Sequence, residues 1–240
     1  KTPLHGTVTL PGDKSISHRA ALFAALAKGA SRFENYLVAG VTQAMLDSLA
    51  ELGIDWNLDG DTLTVNGAGL SPWTDEEKRL DCGNSGTTMR TLAGALVGTK
   101  TPALLDGSSG LRRRPMGRIV EPLRQMGASI QAAEGMLAPL RIGNVRQLMG
   151  VDYHLPVASA QVKTALLLAA LGADGVTTLT EPGPSRDHTE RMLAQMGVSI
   201  EVDPGDRSVH LNPPSHPLSP LRFTIPGDFS SAAFLASSSA

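Results

Sequence analysis

The segments Leu49-Ala-Glu-Leu-Gly-Ile-Asp55, Leu123-Arg-Gln-Met-Gly-Ala-Ser129 and Leu193-Ala-Gln-Met-Gly-Val-Ser199 repeat one pattern, Leu-x-x-Leu/Met-Gly. Each segment ends a stretch with apolar residues at helical spacing, and each glycine lies where a helix C-cap favours left-handed backbone. The glycines are 74 and 70 residues apart. A period this long predicts three copies of a supersecondary unit with two helices and several strands, rather than a solenoid coil.

Strand-like patterns follow each of these glycines. Apolar and polar residues alternate over residues 54–58, 128–132 and 198–202, and a second short strand is predicted after a turn, as at 62–65 and 208–211. Helices and strands therefore alternate within each unit. The sequence predicts an α/β (α+β) fold.

A second shared element lies about 40 residues before each glycine. It reads Lys14-Ser-Ile-Ser17, Asn84-Ser-Gly-Thr87 and Ala158-Ser-Ala-Gln161, and each copy precedes an Ala/Leu-rich helix, over 20–27, 89–96 and 164–171. Ser and Asn are favoured N-caps, so one interpretation is that these residues only cap helices. The alternative is that three units around a pseudo-threefold axis bring three helix N-termini together. Their unpaired N–H groups and partial positive charge would then suit a phosphate or carboxylate.

Composition excludes several functional classes. Lys and Arg total 21 against 23 Asp and Glu, a net charge of -2, so no global basic field attracts nucleic acid. Only 4% of residues are aromatic, too few for the stacking platforms of single-strand binders. No apolar run approaches the roughly 18 residues of a membrane span. Anion binding must therefore be local.

The single cysteine, Cys82, cannot form an intrachain disulfide, and no His or Cys lies at zinc-ligand spacing from it. We interpret it as a buried or half-buried structural residue and expect a reducing, cytoplasmic location. The sequence predicts neither a metal site nor a bound cofactor.

Basic residues lie near several predicted helix starts. Lys14 and Arg19 flank the first turn of a helix, and Arg186 precedes the second helix of the third unit, where Ser185 or Asp187 is a candidate cap. Lys14, taken alone, is typical of a solvated surface. The recurrence of these cations at helix starts favours anion binding.

The segment Leu111-Arg-Arg-Arg-Pro-Met-Gly-Arg118 places four guanidinium groups within seven residues. A basic surface is the usual interpretation of such a run. Pro115 suits the first position of a helix, however, and this would hold at least one arginine rigidly for bidentate binding of a carboxylate or phosphate.

Together these segments resemble the 5-enolpyruvylshikimate-3-phosphate synthase (3-phosphoshikimate 1-carboxyvinyltransferase) family. The matching motifs, in the order and spacing of the family, are Pro11-Gly-Asp-Lys-Ser-Ile-Ser-His-Arg19, Gly83-Asn-Ser-Gly-Thr-Thr-Met-Arg90, the segment 111–118, Ser159-Ala-Gln-Val-Lys163 and Arg186-Asp-His-Thr189. The resemblance implies half of an inside-out α/β barrel, with three units of parallel helices and a four-stranded sheet. It places an N-terminal globular domain at 12–225, with repeats at about 12–70, 80–145 and 150–212. Residues 1–11 and 226–240 would be crossover segments, the second running into the truncated start of another domain.

The resemblance also implies a reaction, in which the enolpyruvyl group of phosphoenolpyruvate moves to the 5-hydroxyl of shikimate 3-phosphate and phosphate is released. This step belongs to the shikimate pathway, which leads to chorismate and the aromatic amino acids. By motif position, the residues expected to hold shikimate 3-phosphate are Lys14, Ser15, Arg19, Ser159, Ala160, Gln161 and Arg186. Those expected to line the phosphoenolpyruvate site are Lys14, Asn84, Gly86 and Arg114. Lys14 would act electrostatically, and Gly86 occupies the position that discriminates phosphoenolpyruvate from the inhibitor glyphosate.

Family members carry the groups that move protons in a second, C-terminal domain. We therefore expect this chain to supply the shikimate-3-phosphate side of the site, to need that domain as its partner, and not to catalyse alone. The alternative is a stand-alone module that binds phosphorylated shikimate without turnover. A transferase acting on a nucleotide sugar is a weaker alternative, since the sequence has no cysteine loop of that type.

Overall fold

The three Leu-x-x-Leu/Met-Gly segments end helices in the computed structural model, which describes residues 6–145 and 147–238. Gly53, Gly127 and Gly197 have φ angles of 80°, 96° and 90°, in the left-handed region. After each glycine, the next backbone N–H donates to the carbonyl five residues earlier, as Ile54 does to Leu49 at 2.9 Å. This is the hydrogen bond of a Schellman motif. The predicted glycine C-caps are confirmed.

The described elements follow one another in three similar series. The first series is α1 (Lys14–Leu26), β1 (Lys28–Glu34), α2 (Gly40–Glu51), β2 (Asp55–Asp59) and β3 (Thr62–Ala68). The second is β4 (Lys78–Asp81), α3 (Gly86–Gly98), β5 (Ala103–Asp106), α4 (Ser109–Arg112), α5 (Gly117–Gln125), β6 (Ile130–Ala133) and β7 (Leu137–Ile142). The third is β8 (Asp152–His154), α6 (Ala160–Ala170), β9 (Thr177–Thr180), α7 (His188–Gln195), β10 (Ile200–Asp203) and β11 (Ser208–Leu211). Two further elements are β12 (Arg222–Thr224) and α8 (Phe229–Ser238).

Within the described residues the strands form three four-stranded sheets of the same topology. Their strand orders are β12-β1-β3-β2, β4-β5-β7-β6 and β8-β9-β11-β10. In every sheet the first pair is parallel and the next two pairs are antiparallel. The prediction of an α/β fold built from three units is confirmed.

The first sheet takes its edge strand from the other end of the chain. β12 pairs in parallel with β1, with Arg222 opposite Arg32, so residues outside the range 12–70 complete the first unit. The adjoining segments also pair, through N–H donation from Asp13 to Pro226 O at 2.8 Å and from Asp228 to Pro11 O at 2.9 Å. Residues 1–5, 239 and 240 of the predicted crossovers lie outside the described residues.

The helices α1, α3 and α6 lie in the core, which confirms the three predicted Ala/Leu-rich helices. In α1 every residue from 17 to 26 is buried, and small residues allow close packing on all sides. The closest approach is between α3 and α6. A Cβ atom added at Gly94 would lie 2.1 Å from Ala165 O, and one added at Gly98 would lie 2.3 Å from Leu168 O.

The caps of these helices differ in part from expectation. Asp13 caps α1 by accepting a hydrogen bond from Ile16 N at 2.9 Å, so Ser15 is not the cap. Of the two candidates before α3, Ser85 is the cap, as predicted for a serine at this position. The predicted cap at Ser159 is present on α6. A carboxylate explains the difference at α1, since it is as good an N-cap as serine and also interacts favourably with the helix dipole.

We expect Gly94→Ala to destabilise the fold. Alanine gains about 1 kcal/mol of helix propensity over glycine, but three backbone atoms lie within 2.7 Å of the new methyl group and cannot move without separating two helices. We place this cost near the upper end of the roughly 1 to 3 kcal/mol typical of overpacking. The matched control is Gly40→Ala at the exposed start of α2, where no atom lies within 4 Å. Urea unfolding of both variants tests this, and equal stabilities would contradict it.

Candidate anion-binding site

Side chains near the starts of α1, α3 and α6 contact one another at one end of the core. Arg19 of α1 donates from Nη2 to Thr164 Oγ1 of α6 at 2.7 Å. Arg90 of α3 donates from Nη1 to Gln161 Oε1 of α6 at 2.6 Å, and Gln161 Nε2 donates to Thr87 Oγ1 at 3.0 Å. The predicted convergence of the three helix starts is therefore present.

Arg19 is held inside this group of helices and is only 2% exposed. Its Nε donates to Thr189 Oγ1 at 2.8 Å and its Nη1 to Ser15 O at 3.0 Å, and Nη2 contacts Ala160 O in addition to Thr164. A guanidinium has five N–H groups, so these contacts with the described residues leave one Nη1 N–H for a further acceptor.

Burial is the main influence on the pKa of Arg19. Burial lowers the pKa of Arg19 to about 10, the nearby carboxylates of Glu190 and Asp13 oppose that shift, and the charge of Arg186 adds to it. The group stays protonated at neutral pH. It thus provides a fixed positive charge beneath the helix starts.

Two more of the predicted residues, Ser15 and Arg186, contact each other. Arg186, in the loop before α7, donates from Nη1 to Ser15 Oγ at 2.9 Å. The Ser15 hydroxyl is available to accept this hydrogen bond because Asp13 caps α1 in its place.

The remaining predicted residues of this group lie at the starts of α1 and α6. Lys14 begins α1 and is exposed. Ser159 and Ala160 lie at the start of α6, where the Ser159 hydroxyl accepts a hydrogen bond from Val162 N at 3.5 Å.

The other predicted residues lie at the start of α3. Asn84 Oδ1 accepts from Arg114 Nη2 at 3.3 Å and from Ser108 Oγ at 3.2 Å. Gly86 lies under two guanidinium groups, since a Cβ there would be 3.3 Å from Nη1 of both Arg90 and Arg114. These groups leave little room above the glycine.

Arg90 belongs to this group of cations, although sequence reasoning gave it no role. Burial lowers its pKa, and the charges of Arg114 and Arg118 lower it further. Its position four residues after Gly86 in α3 is the signal that could have found it, because residues i and i+4 share one helix face. An anion bound here would relieve the repulsion between these guanidinium groups.

The arginines of the segment 111–118 do not share one set of contacts. Arg112 pairs with Asp106 through Nε at 2.8 Å and Nη2 at 2.5 Å, and this bond is the main reason why the pKa of Asp106 is lowered. The helix α5 begins at Gly117, so the expectation that Pro115 occupies a first helical position is wrong. Pro115 instead lies in the turn between α4 and α5, where its carbonyl accepts a hydrogen bond from Arg90 at 3.2 Å.

The candidate caps of α7 also behave differently. Asp187 occupies the N-cap position, but its side chain accepts from Arg191 at 2.7 Å and makes no capping bond. Ser185 donates to Glu181 Oε2 at 3.0 Å. Neither side chain caps α7, because Asp187 instead binds Arg191 and Ser185 instead binds Glu181.

His18 joins two of the helix starts and was missed by sequence reasoning. Its Nδ1 lies 2.8 Å from Lys14 O, and its Nε2 lies 3.2 Å from Ser85 Oγ and 3.1 Å from Val41 O. Burial is the main cause of a lowered pKa. A neutral ring that donates from Nδ1 can accept at Nε2 from the Ser85 hydroxyl, and so fixes the cap of α3 against the start of α1.

Other features of the described residues bear on function. Cys82 is buried as expected, and burial raises the pKa of its thiol. No group of three His, Cys, Asp or Glu side chains suited to a metal ion occurs in ranges 6–145 and 147–238. No helix in those ranges has the length and hydropathy needed to span a membrane.

Comparison with known proteins relates this chain to one family. A family model for EPSP synthase (3-phosphoshikimate 1-carboxyvinyltransferase) matches residues 1–240. The chain is 49% identical to a 3-phosphoshikimate 1-carboxyvinyltransferase of Thermodesulfovibrio yellowstonii, over 96% of this chain and 54% of that protein. A protein of the same name from Syntrophomonas wolfei is 47% identical, over 97% and 54% respectively.

The structural comparison agrees with the sequence comparison. An EPSP synthase structure from Acinetobacter baumannii superposes with a TM-score of 0.90 at 39% identity, covering 97% of this chain and 52% of that one. The chain therefore spans about half the length of the relatives that it matches.

We expect His18 to make stability depend on pH. Because its pKa is lowered in the fold, protons bind more readily to the unfolded chain as pH falls below the ordinary value of 6.5. The free energy of unfolding should then decrease from pH 7 toward pH 5, and His18→Asn should remove part of that decrease. The exposed His216→Asn is the control. Parallel pH profiles for His18→Asn and the original chain, from urea titrations, would contradict this.

Proposed function

The chain belongs to the EPSP synthase family, and on that premise we propose that it supplies the shikimate-3-phosphate side of an enolpyruvyl transfer site. The proposed reaction moves the enolpyruvyl group of phosphoenolpyruvate to the 5-hydroxyl of shikimate 3-phosphate and releases phosphate. We infer that the remaining half of the relatives' length corresponds to a second domain that completes the site. We also propose a cytoplasmic location, which is supported by the single buried cysteine.

The observation that carries the proposal is the convergence of three helix starts with cationic side chains. Both substrates are phosphorylated carboxylates, and helix N-termini together with Arg and Lys are the groups that bind such anions. Two neighbouring subsites follow from the contacts. One lies around the contact of Arg186 with Ser15, and the other around the contact of Arg114 with Asn84.

We assign shikimate 3-phosphate to the first subsite. Its proposed contacts are Lys14, Ser15, Arg19, Ser159, Ala160, Gln161 and Arg186. In this assignment the free Nη1 N–H of Arg19 donates to an anionic oxygen. The N–H groups at the start of α6 offer further donors, since the first four of a helix have no partner within it.

We assign phosphoenolpyruvate to the second subsite, formed by Lys14, Asn84, Gly86 and Arg114. Gln161 lies between the two subsites, because its amide touches Arg90 and Thr87 at the start of α3. The cations here would stabilise the phosphate as it leaves, when its negative charge increases. The guanidinium of Arg90 adds to this field.

The chemistry requires proton transfers as well as charge stabilisation. The oxygen of the 5-hydroxyl adds to C2 of phosphoenolpyruvate and loses its proton while C3 gains a proton, and the tetrahedral product then loses phosphate and a proton from C3. The guanidinium groups that make up most of this site are not suited to exchange protons at neutral pH, since arginine stays protonated in proteins. We propose that the groups performing these transfers lie in the second domain.

Lys14→Ala tests the assignment of the first subsite. We expect it to weaken binding of shikimate 3-phosphate by about tenfold or more, because a charged partner of a bound anion is lost, and to leave stability nearly unchanged at this exposed position. Lys28→Ala is the control, since Lys28 lies beyond the opposite end of α1 and is also exposed. Calorimetric titration and urea unfolding measure the two effects. A large loss of stability with retained affinity would refute the assignment.

Measuring phosphate release distinguishes half of an enolpyruvyl transferase from a stand-alone module that only binds shikimate 3-phosphate. We expect the purified chain to bind shikimate 3-phosphate and to release no phosphate when phosphoenolpyruvate is added. Addition of the complementary half from a relative should restore phosphate release. Turnover by the chain alone would place a proton-transfer group within residues 1–240, whereas binding with no restoration would favour the module.

Gly86→Ala tests the second subsite. The added methyl group would lie 3.3 Å from Nη1 of Arg90 and of Arg114, so both guanidinium groups must move by a few tenths of an ångström. The ends of these side chains are flexible, and we expect the fold to tolerate the change. Affinity for phosphoenolpyruvate should fall and tolerance to glyphosate should rise, measured with the complementary half present. Unchanged inhibition by glyphosate would contradict the assignment.

A further inference from the structure

Three buried charged side chains form a group in which one lysine contacts two glutamates. Lys163 Nζ lies 2.7 Å from Glu181 Oε2 and 2.6 Å from Glu190 Oε1, and the three side chains are 3%, 6% and 5% exposed. Every other salt bridge found in the described ranges includes at least one exposed side chain. We call Lys163, Glu181 and Glu190 the charged triad.

The charged triad joins three backbone segments. Lys163 is the fourth residue of α6, Glu181 directly follows β9, and Glu190 is the third residue of α7. The loop between β9 and α7 carries Ser185 and Arg186. The triad therefore fixes both ends of this loop against the helix that begins after Ser159.

A hydrogen bond between two residues of this segment, Ser185 and Glu181, also stabilises the loop. Glu181 Oε2 accepts hydrogen bonds from both Lys163 Nζ and Ser185 Oγ, at 2.7 Å and 3.0 Å. The next residue, Arg186, reaches Ser15 Oγ on α1 at 2.9 Å. A continuous chain of contacts thus runs from the Lys163 ammonium to the guanidinium of Arg186.

Stability alone does not account for the charged triad. It holds one cation against two carboxylates, of which Glu190 also interacts with the charge of Arg19, and Glu181 Oε1 and Glu190 Oε2 are buried without a hydrogen-bond partner among the described residues. Burying such groups removes them from water at a cost that their attraction often only balances. What the triad does provide is a defined position, since the Lys163 ammonium bonds to one oxygen of each carboxylate and so holds the three side chains together.

We propose that Lys163, acting through Glu181 and the loop 182–187, is a positioning residue that holds Arg186 in place to bind shikimate 3-phosphate. This inference rests on the proposed function. Lys163 does not touch the ligand. Its effect reaches the ligand through Ser185 and Arg186, and the contact with Glu190 keeps α7 in register with α6.

A double-mutant cycle on the chain tests this. Lys163→Met keeps the side-chain volume and removes the charge, and it should weaken binding of shikimate 3-phosphate about tenfold. When Arg186→Ala is already present, Lys163→Met should cause little further loss, because the route to the ligand is interrupted. Glu181→Gln leaves one cation paired with one carboxylate and should fold even if Lys163→Met does not. It should also weaken binding of shikimate 3-phosphate, and it should cause little further loss when Arg186→Ala is present. Leu168→Ala, buried on the same helix, is the control for general destabilisation and should leave affinity unchanged.

The outcomes are distinct when titrations are accompanied by thermal unfolding. Equal affinity in the original chain and in Lys163→Met overturns the positioning role alone. A loss that is as large in the Arg186→Ala background also overturns it, because the residue would then act by another route. If the original chain does not bind shikimate 3-phosphate, the proposed function fails and this inference fails with it.

Discussion

The packing of α3 against α6 without intervening side chains is the constraint on which the site depends. Backbone atoms of α6 occupy the space that a Cβ would need at Gly94 and Gly98, and Gly98 O does the same at Gly172. The N-terminal turns of the two helices also lie close together, since the Gln161 side chain of α6 reaches Thr87 of α3. A side-chain bridge then becomes possible from Arg90, one turn into α3, to Gln161, in the first turn of α6. The anion-binding geometry is thus a consequence of how the core packs.

The same arrangement has an electrostatic cost that the fold partly offsets. Three helix starts carry partial positive charge, and Arg19 adds a buried full charge. Glu190 and Asp13 counter that charge, as the direction of their effects on the pKa of Arg19 indicates. At the second subsite the charges of Arg114 and Arg118 lower the pKa of Arg90. An anion is therefore favoured in a chain whose net charge is -2.

Sequence reasoning succeeded where the signal was local. The glycines after α2, α5 and α7 and the small residues of the central helices each follow from a few neighbouring residues. Contacts between distant residues could not be predicted in this way. β12 completes a sheet whose other strands lie more than 150 residues earlier, and Arg19 is enclosed by threonines at 164 and 189. No pattern in the sequence shows that Lys163, in a helix of apolar residues, has two carboxylate partners.

The contacts within the site help to explain how it can bind anions tightly. Arg186, Arg114 and Arg90 each donate to a neutral oxygen, on Ser15, Asn84 and Gln161. A neutral oxygen offers a guanidinium no opposite charge, whereas an anionic acceptor adds Coulombic attraction and can accept two parallel N–H bonds from one guanidinium. A phosphate or carboxylate can therefore displace or share these neutral acceptors with a gain in free energy. Meanwhile the neutral contacts keep each guanidinium ordered before the ligand arrives, so less side-chain entropy is lost on binding.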